Sequence, residues 1–270
     1  MTQKNVEERL EKTVKDVNEK IWNLWQDTPE KIRGNLIPYI YRPYMIAGSG
    51  TGKKKILFIG FNPSFSKKAL TGIYKKILKR HKQPRSFRDI RMLYKWESEY
   101  SRSKLMESTI PRDVFEAEKM ALDWYGPYDY FAKPYEIAKE FGAKAAHIDL
   151  FFVRDTDQKK IEKSYVGPYD FYARQLLESL RLIEMSKPDV IVVINAAACR
   201  IFKLFHEKRI AEAKEDVGFS LYRIKKNKYA PLLFSGMLSG GHLDNGSYGR
   251  LKWHIKKALA WIPGKKLEWI

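Results

Sequence analysis

Residues 56–66 read Ile-Leu-Phe-Ile-Gly-Phe-Asn-Pro-Ser-Phe-Ser. An apolar run, Ile56 to Ile59, stops at Gly60 and gives way to an amide, a proline and a hydroxyl at Asn62, Pro63 and Ser64. A short apolar run bounded by breakers predicts a strand buried on both faces, the kind found in parallel sheets. The end of such a strand matters most, because open parallel sheets bind ligands beyond the carboxyl ends of their strands.

Counting outward from that run, the chain offers four strands of this type: Lys55–Ile59, Ala145–Phe152, Val190–Ile194 and Leu232–Phe234. Helical patterns separate them at Pro134–Phe141, Tyr169–Met185 and Ala196–Phe205, and Tyr248–Trp261 follows the last. Strands alternating with helices predict an α/β fold: three layers, α/β/α, around a central four-stranded, mostly parallel sheet with right-handed crossovers. Phe219 to Tyr229, with Leu221, Tyr222 and Ile224, reads as an added strand pair.

Val6, Leu10, Val14, Val17, Ile21 and Leu24 recur at helical spacing, so residues 3–26 predict an amphipathic helix. Residues 1–50 are expected to be a helical extension packing on the core, with Leu36–Ile46 as a loop or edge strand. Residues 51–270 are expected to be one α/β domain. An insertion at about 66–133 breaks its rhythm; it is basic, aromatic and expected to be helical, with Lys75, Lys76, Lys79, Arg80, Arg85, Arg88 and Arg91 as a clamp for a duplex backbone.

Charge narrows the partner. Lys and Arg number 51 against 32 Asp and Glu, a formal net charge of +19. Such an excess repels itself unless an anion is near, and nucleic acid is the usual one. A lysine-rich surface of the thermophile kind is the competing explanation, and the charge favours nucleic acid over it. No apolar run approaches the roughly 18 residues of a membrane helix, so no membrane partner is expected. The polar start MTQKNVEERLEKTV predicts no secretory leader and hence a cytoplasmic location. The single cysteine, Cys199, excludes an internal disulfide framework and any four-cysteine metal site. A monomer without cofactor or metal is expected.

Ala47–Lys54, AGSGTGKK, imitates a phosphate-binding P-loop. The motif needs Ser or Thr after its lysine and a helix behind it; here Lys54 and a strand follow. A flexible basic loop is the better reading.

The strand ends carry the polar groups. Gly60-Phe61-Asn62-Pro63-Ser64-Phe65 follow the first strand, and His147 and Asp149 share one face of the second because side chains alternate. Asn195 follows the third strand, and a second glycine-rich turn, Ser235 to His242, follows the fourth. All four ends are expected to converge on one cleft.

Gly60-Phe61-Asn62-Pro63-Ser64 resembles motif 1 of the uracil-DNA glycosylase superfamily, most closely the mismatch-specific and single-strand-selective branches. Met237-Leu238-Ser239-Gly240-Gly241 resembles motif 2, and the order, one motif after the first strand and one after the fourth, agrees. The resemblance spans about residues 52–262 by topology and a dozen positions by motif. It implies hydrolysis of the N-glycosidic bond of a deaminated or damaged base flipped out of DNA. Asn62 would hold the attacking water, and Gly60, Phe61, Pro63, Ser64, Phe65, His147 and Asn195 would form the base pocket. Ser239, Gly240, Gly241, His242, Tyr248 and Arg250 would contact DNA, with Leu243 or Tyr248 as the wedge that replaces the flipped base and Lys252, Lys256 and Lys257 extending the basic surface.

Two positions depart from the pattern. Asp149 stands where uracil-removing members often carry an Asn; an ionised Asp only accepts, so it either selects a base edge with a donor or serves as a general base. Met237 stands where many members place His or Asn, and His242 is the substitute within reach. No lysine occupies a matched motif position, so a monofunctional enzyme is expected. The alternatives are a non-catalytic nucleic-acid-binding protein that kept the fold, and an enzyme of small nucleotides using the same cleft.

Overall fold

The computed structural model describes residues 3–29, 37–38, 41, 43–63, 129–154, 158, 161, 171–211, 218–238 and 243–261. Its strands are β1 Ile37–Pro38, β2 Lys55–Gly60, β3 Lys144–Asp149, β4 Val153–Arg154, β5 Val190–Ile194, β6 Ile210–Ala211, β7 Ser220–Lys225 and β8 Lys228–Ser235. Its helices are α1 Gln3–Asp27, α2 Pro43–Ala47, α3 Asp129–Glu140, α4 Phe171–Ser186, α5 Ala196–His206 and α6 Asn245–Ala260.

The main sheet is mixed and has six strands in the order β3-β2-β5-β8-β7-β6, not the expected four. The β3, β2, β5 and β8 strands run parallel, while β7 and β6 extend the sheet antiparallel. The expected strand pair at 219–229 is therefore β7 and the start of β8, turning at Asn227, whose φ is +62°. Since β7 pairs directly with β8, it belongs to the same sheet and the count rises.

Every residue from Ile56 to Ile59 and from Val190 to Ile194 is buried. Alternate residues serve opposite faces. Leu57, Ile59, Ile191 and Val193 pack with α1, α2, α4 and α5; Ile56, Phe58, Val190 and Val192 pack with α3 and α6. From β2 the chain moves outward to β3, then returns across the sheet to β5 and on to β8. The reversal falls between β2 and β5, which is where ligand sites in open sheets form.

Helix α1 is part of this core. Leu10, Val14, Val17, Ile21 and Trp25 are buried in the same cluster as the sheet. At about 1.5–3 kcal/mol for each large side chain, its burial is worth on the order of 10 kcal/mol before entropy. Asp16 reaches Arg181 of α4 at 2.6 Å. The segment expected as a loop or edge strand contains α2 and the short β1, which pairs with β4. The AGSGTGKK loop leads into β2 as expected, and Ser49 exchanges both backbone hydrogen bonds with Ala145 at 2.9 Å, covering part of the β3 edge. The basic insertion lies outside the described residues over 66–128, and its last residues open α3. That helix starts before Pro134 rather than at it. Among the described residues no helix is long and apolar enough to cross a membrane.

A polar pair sits inside the core at the β7 side. Tyr222 Oη lies 3.0 Å from His206 Nδ1, and both are buried. Burial pushes His206 down to about 3. The unfolded histidine titrates near its usual value of 6.5, so between pH 6.5 and 3 the unfolded chain binds the extra proton and stability falls as pH falls. From pH 7 to pH 4 the wild type should lose roughly 1–3 kcal/mol more than His206→Gln in urea unfolding; parallel pH profiles would refute a buried neutral imidazole.

Candidate functional site

The paired strands β2 and β3 end together, Gly60 opposite Asp149. Their ladder continues into the turns: Leu150 N donates to Gly60 O at 3.1 Å, and Phe151 N to Phe61 O at 3.0 Å. The two turns therefore leave the sheet side by side. His147 and Asp149 share the α3/α6 face, as alternation predicts, and His147 Nε2 lies 3.4 Å from Asp149 Oδ2. Both are buried, at 6% and 5% exposure.

Gly60 makes this pair possible. A Cβ there would overlap Oδ1 of Asp149, with the His147 ring in van der Waals contact. The glycine that looked like a strand breaker is thus the floor under a carboxylate and an imidazole. From the main chain, Asp149 N donates to Tyr41 Oη at 2.5 Å. Tyr41 is clamped in turn by Asn18 of α1, whose Oδ1 accepts from Tyr41 N and whose Nδ2 donates to Tyr41 O, both at 2.9 Å. Gln175 of α4 fixes the next stretch, its Oε1 accepting from Phe152 N at 2.8 Å. Tyr41, Asn18 and Gln175 are positioning residues that sequence reasoning missed. A tyrosine between Ile40 and Arg42 and an amide on a helix carry no local signal of a contact so distant along the chain.

Asn62 stands at the turn after β2 and is 8% exposed. Its Nδ2 donates to Pro63 O and to Val153 O, both at 3.1 Å. Those bonds tie the β2 turn to β4 and set the orientation of the amide, with the carbonyl oxygen at its acceptor end. Phe61 is 1% exposed and packs edge-on to Phe151, with ring centroids 5.1 Å apart. It serves the core. Ser64 and Phe65 lie outside the described residues.

Asn195 is buried at the end of β5 and caps α5. Its Oδ1 accepts from Ala197 N and Ala198 N, at 2.8 and 3.3 Å, and its Nδ2 donates to Gln158 Oε1 at 3.1 Å. An Asn directly before Ala-Ala-Ala is a recognisable cap, so the signal was present. In the turn after β8, Met237 is half-buried. Ser239, Gly240, Gly241 and His242 lie outside the described residues. Leu243 and Tyr248 are half-buried against the α3/α6 side of the core. Lys133 and Lys252 stand over the Tyr248 ring, 5.3 and 5.5 Å from its centroid. Arg250 is exposed on α6.

The contacts thus bring Gly60, His147 and Asp149 together and set the Asn62 turn beside them, while Tyr248 and Arg250 stand on α6, Tyr248 beside Lys133 of α3. Chemically, the strand ends offer a carboxyl group 3.4 Å from an imidazole, and an oriented amide. Among the described residues no three His, Cys, Asp or Glu side chains converge as a metal site requires. No protein-family model and no curated protein sequence matches the chain.

Gly60→Ala should cost about 1–3 kcal/mol in urea unfolding and separate Asp149 from His147. The double variant Gly60→Ala/Asp149→Ala should recover at least about 0.5 kcal/mol relative to the sum of the single changes; strict additivity would mean that the glycine and the carboxylate do not touch.

Proposed function

We propose that the chain is a monofunctional DNA glycosylase-like protein that hydrolyses the N-glycosidic bond of an altered base turned out of DNA. The observation that carries this is the Gly60–Pro63 turn, at the sheet's reversal and directly beside the His147–Asp149 pair. Glycosidic cleavage of this kind asks little covalent work of a protein: a water held under the anomeric carbon, a stabilised leaving base and a dry site. Asn62, oriented through its Nδ2, would hold the water. Asp149, backed by His147, would take its proton or face a donor on the base edge. The motif resemblance and the charge of +19 support DNA as the substrate.

One observation favours a second role, a nucleic-acid binder that no longer cleaves. Asn62 and Asp149 are nearly closed off from solvent, and both are engaged within the protein. Such a binder would hold DNA in a strongly salt-dependent way without turnover.

The test is release of base from duplexes and single strands carrying uracil, hypoxanthine, xanthine or mismatched thymine, read by alkaline cleavage at abasic sites. Asn62→Ala should lower the rate about 100-fold or more while the protein stays folded by circular dichroism. No product on any substrate, or full activity in Asn62→Ala, would overturn the catalytic role; tight binding without product would leave the binder.

A further inference from the structure

On the other side of β8 from β5 lies a groove of about 500 Å³, between the start of β7, the end of β8 and the first half of α6. That volume suits a small organic ligand. Its apolar wall includes Phe219, Leu233 and Leu251; its polar groups include Ser235, Arg250 and His254.

The groove's own lining is basic, with the Asp244 carboxylate behind Arg250 at the α6 cap. No carboxylate is among its described lining residues. The acid nearest in sequence, Asp244, is occupied as the α6 cap, accepting from Ser247 N at 2.8 Å and from Ser247 Oγ at 2.6 Å. Ser247 Oγ accepts in turn from Arg250 at 2.8 Å. This relay holds the guanidinium at the groove. The His254 ring lies over Gly218, whose φ is +73° and where a Cβ would overlap the imidazole. Its Nδ1 is buried without a hydrogen-bond partner among the described residues. Burial holds the His254 pKa below its usual value, so near pH 7 the ring is neutral and Arg250 is the groove's permanent cation.

We propose that this groove binds one nucleotide, its base against the apolar wall and its phosphate on Arg250 and the serine hydroxyls. An apolar wall alone would select any hydrophobe, and a guanidinium alone any anion. Their juxtaposition across one groove selects a molecule that carries both a flat ring and a phosphate. The nucleotide is either free or a unit of a strand, since both present the same chemistry. Outward from Arg250 at the groove, Trp253 and Lys257 follow along the same side of α6, with Lys257 Nζ 5.5 Å from the Trp253 ring centroid. A strand leaving the groove would meet cation and ring in turn. Only binding is required here, so the groove stands or falls separately from chemistry at Asn62.

The experiment is calorimetric titration of the full chain with AMP, adenosine, inorganic phosphate and a single-stranded thymidine decamer. AMP should bind at least about tenfold more tightly than adenosine or phosphate. Arg250→Ala, an exposed change that leaves the core intact, and Ser235→Trp, which fills the groove from the strand face that carries Leu233, should each weaken AMP about tenfold or more. Displacement of AMP by the decamer assigns the groove to strands; AMP binding undisturbed by the decamer assigns it to free nucleotides. No detectable AMP binding, phosphate binding as tightly as AMP, or affinity unchanged in both variants would overturn the proposal.

Discussion

The parallel pairing of β2 with β3, carried beyond both strand ends, is the constraint on which the site depends. Gly60 O and Phe61 O accept from Leu150 N and Phe151 N, so two turns that would otherwise diverge leave the sheet together. The pairing also puts Gly60 opposite Asp149. In that register a side chain at residue 60 has no room, and the carboxylate occupies its place. A slip of one residue would exchange His147 and Asp149 for Ile148 on the α3/α6 face and destroy the arrangement.

The surrounding elements hold this register from a distance. Helix α1 covers the opposite face of the sheet, and through Asn18 it fixes Tyr41, whose hydroxyl meets Asp149 N. Helix α4 meets Phe152 N through Gln175. The N-terminal helix thus belongs to the same core as the sheet, and it reaches a strand end through two hydrogen-bonded residues. At the opposite, amino end of β2, Lys55 is drawn into the structure, with Nζ donating to Ser186 O at 2.6 Å, and burial lowers its pKa to about 8. Polar groups are therefore drawn in at both ends of β2, where Lys55 donates to Ser186 O and Asn62 to Val153 O.

Much of the fold was legible because its signals are local. Val190–Ile194 has the bounds its apolar run predicts, α1 follows its helical spacing, and β2 runs one residue past its apolar run to include Gly60. The shared face of His147 and Asp149 follows from strand alternation alone. The strand count did not, because whether a hairpin at 219–229 joins the sheet or stands apart depends on which edge it pairs with. Pro134 marked a helix start by rule, yet α3 begins a turn earlier. Asn195 caps α5, and the Ala-Ala-Ala after it carries that information in the sequence. Contacts such as Tyr41–Asp149 and Tyr222–His206 join residues distant in sequence, and only packing brings them together.

The most direct test of a DNA site at the strand ends is amide mapping by NMR as a duplex containing a stable abasic-site analogue is added. The largest shifts are expected at Gly60, Phe61 and Asn62 and at His147 to Val153, with the rest of the sheet interior quiet. Saturable binding that leaves those amides unmoved, with shifts confined to α6 or other surfaces, would contradict a site at the carboxyl ends of β2 and β3.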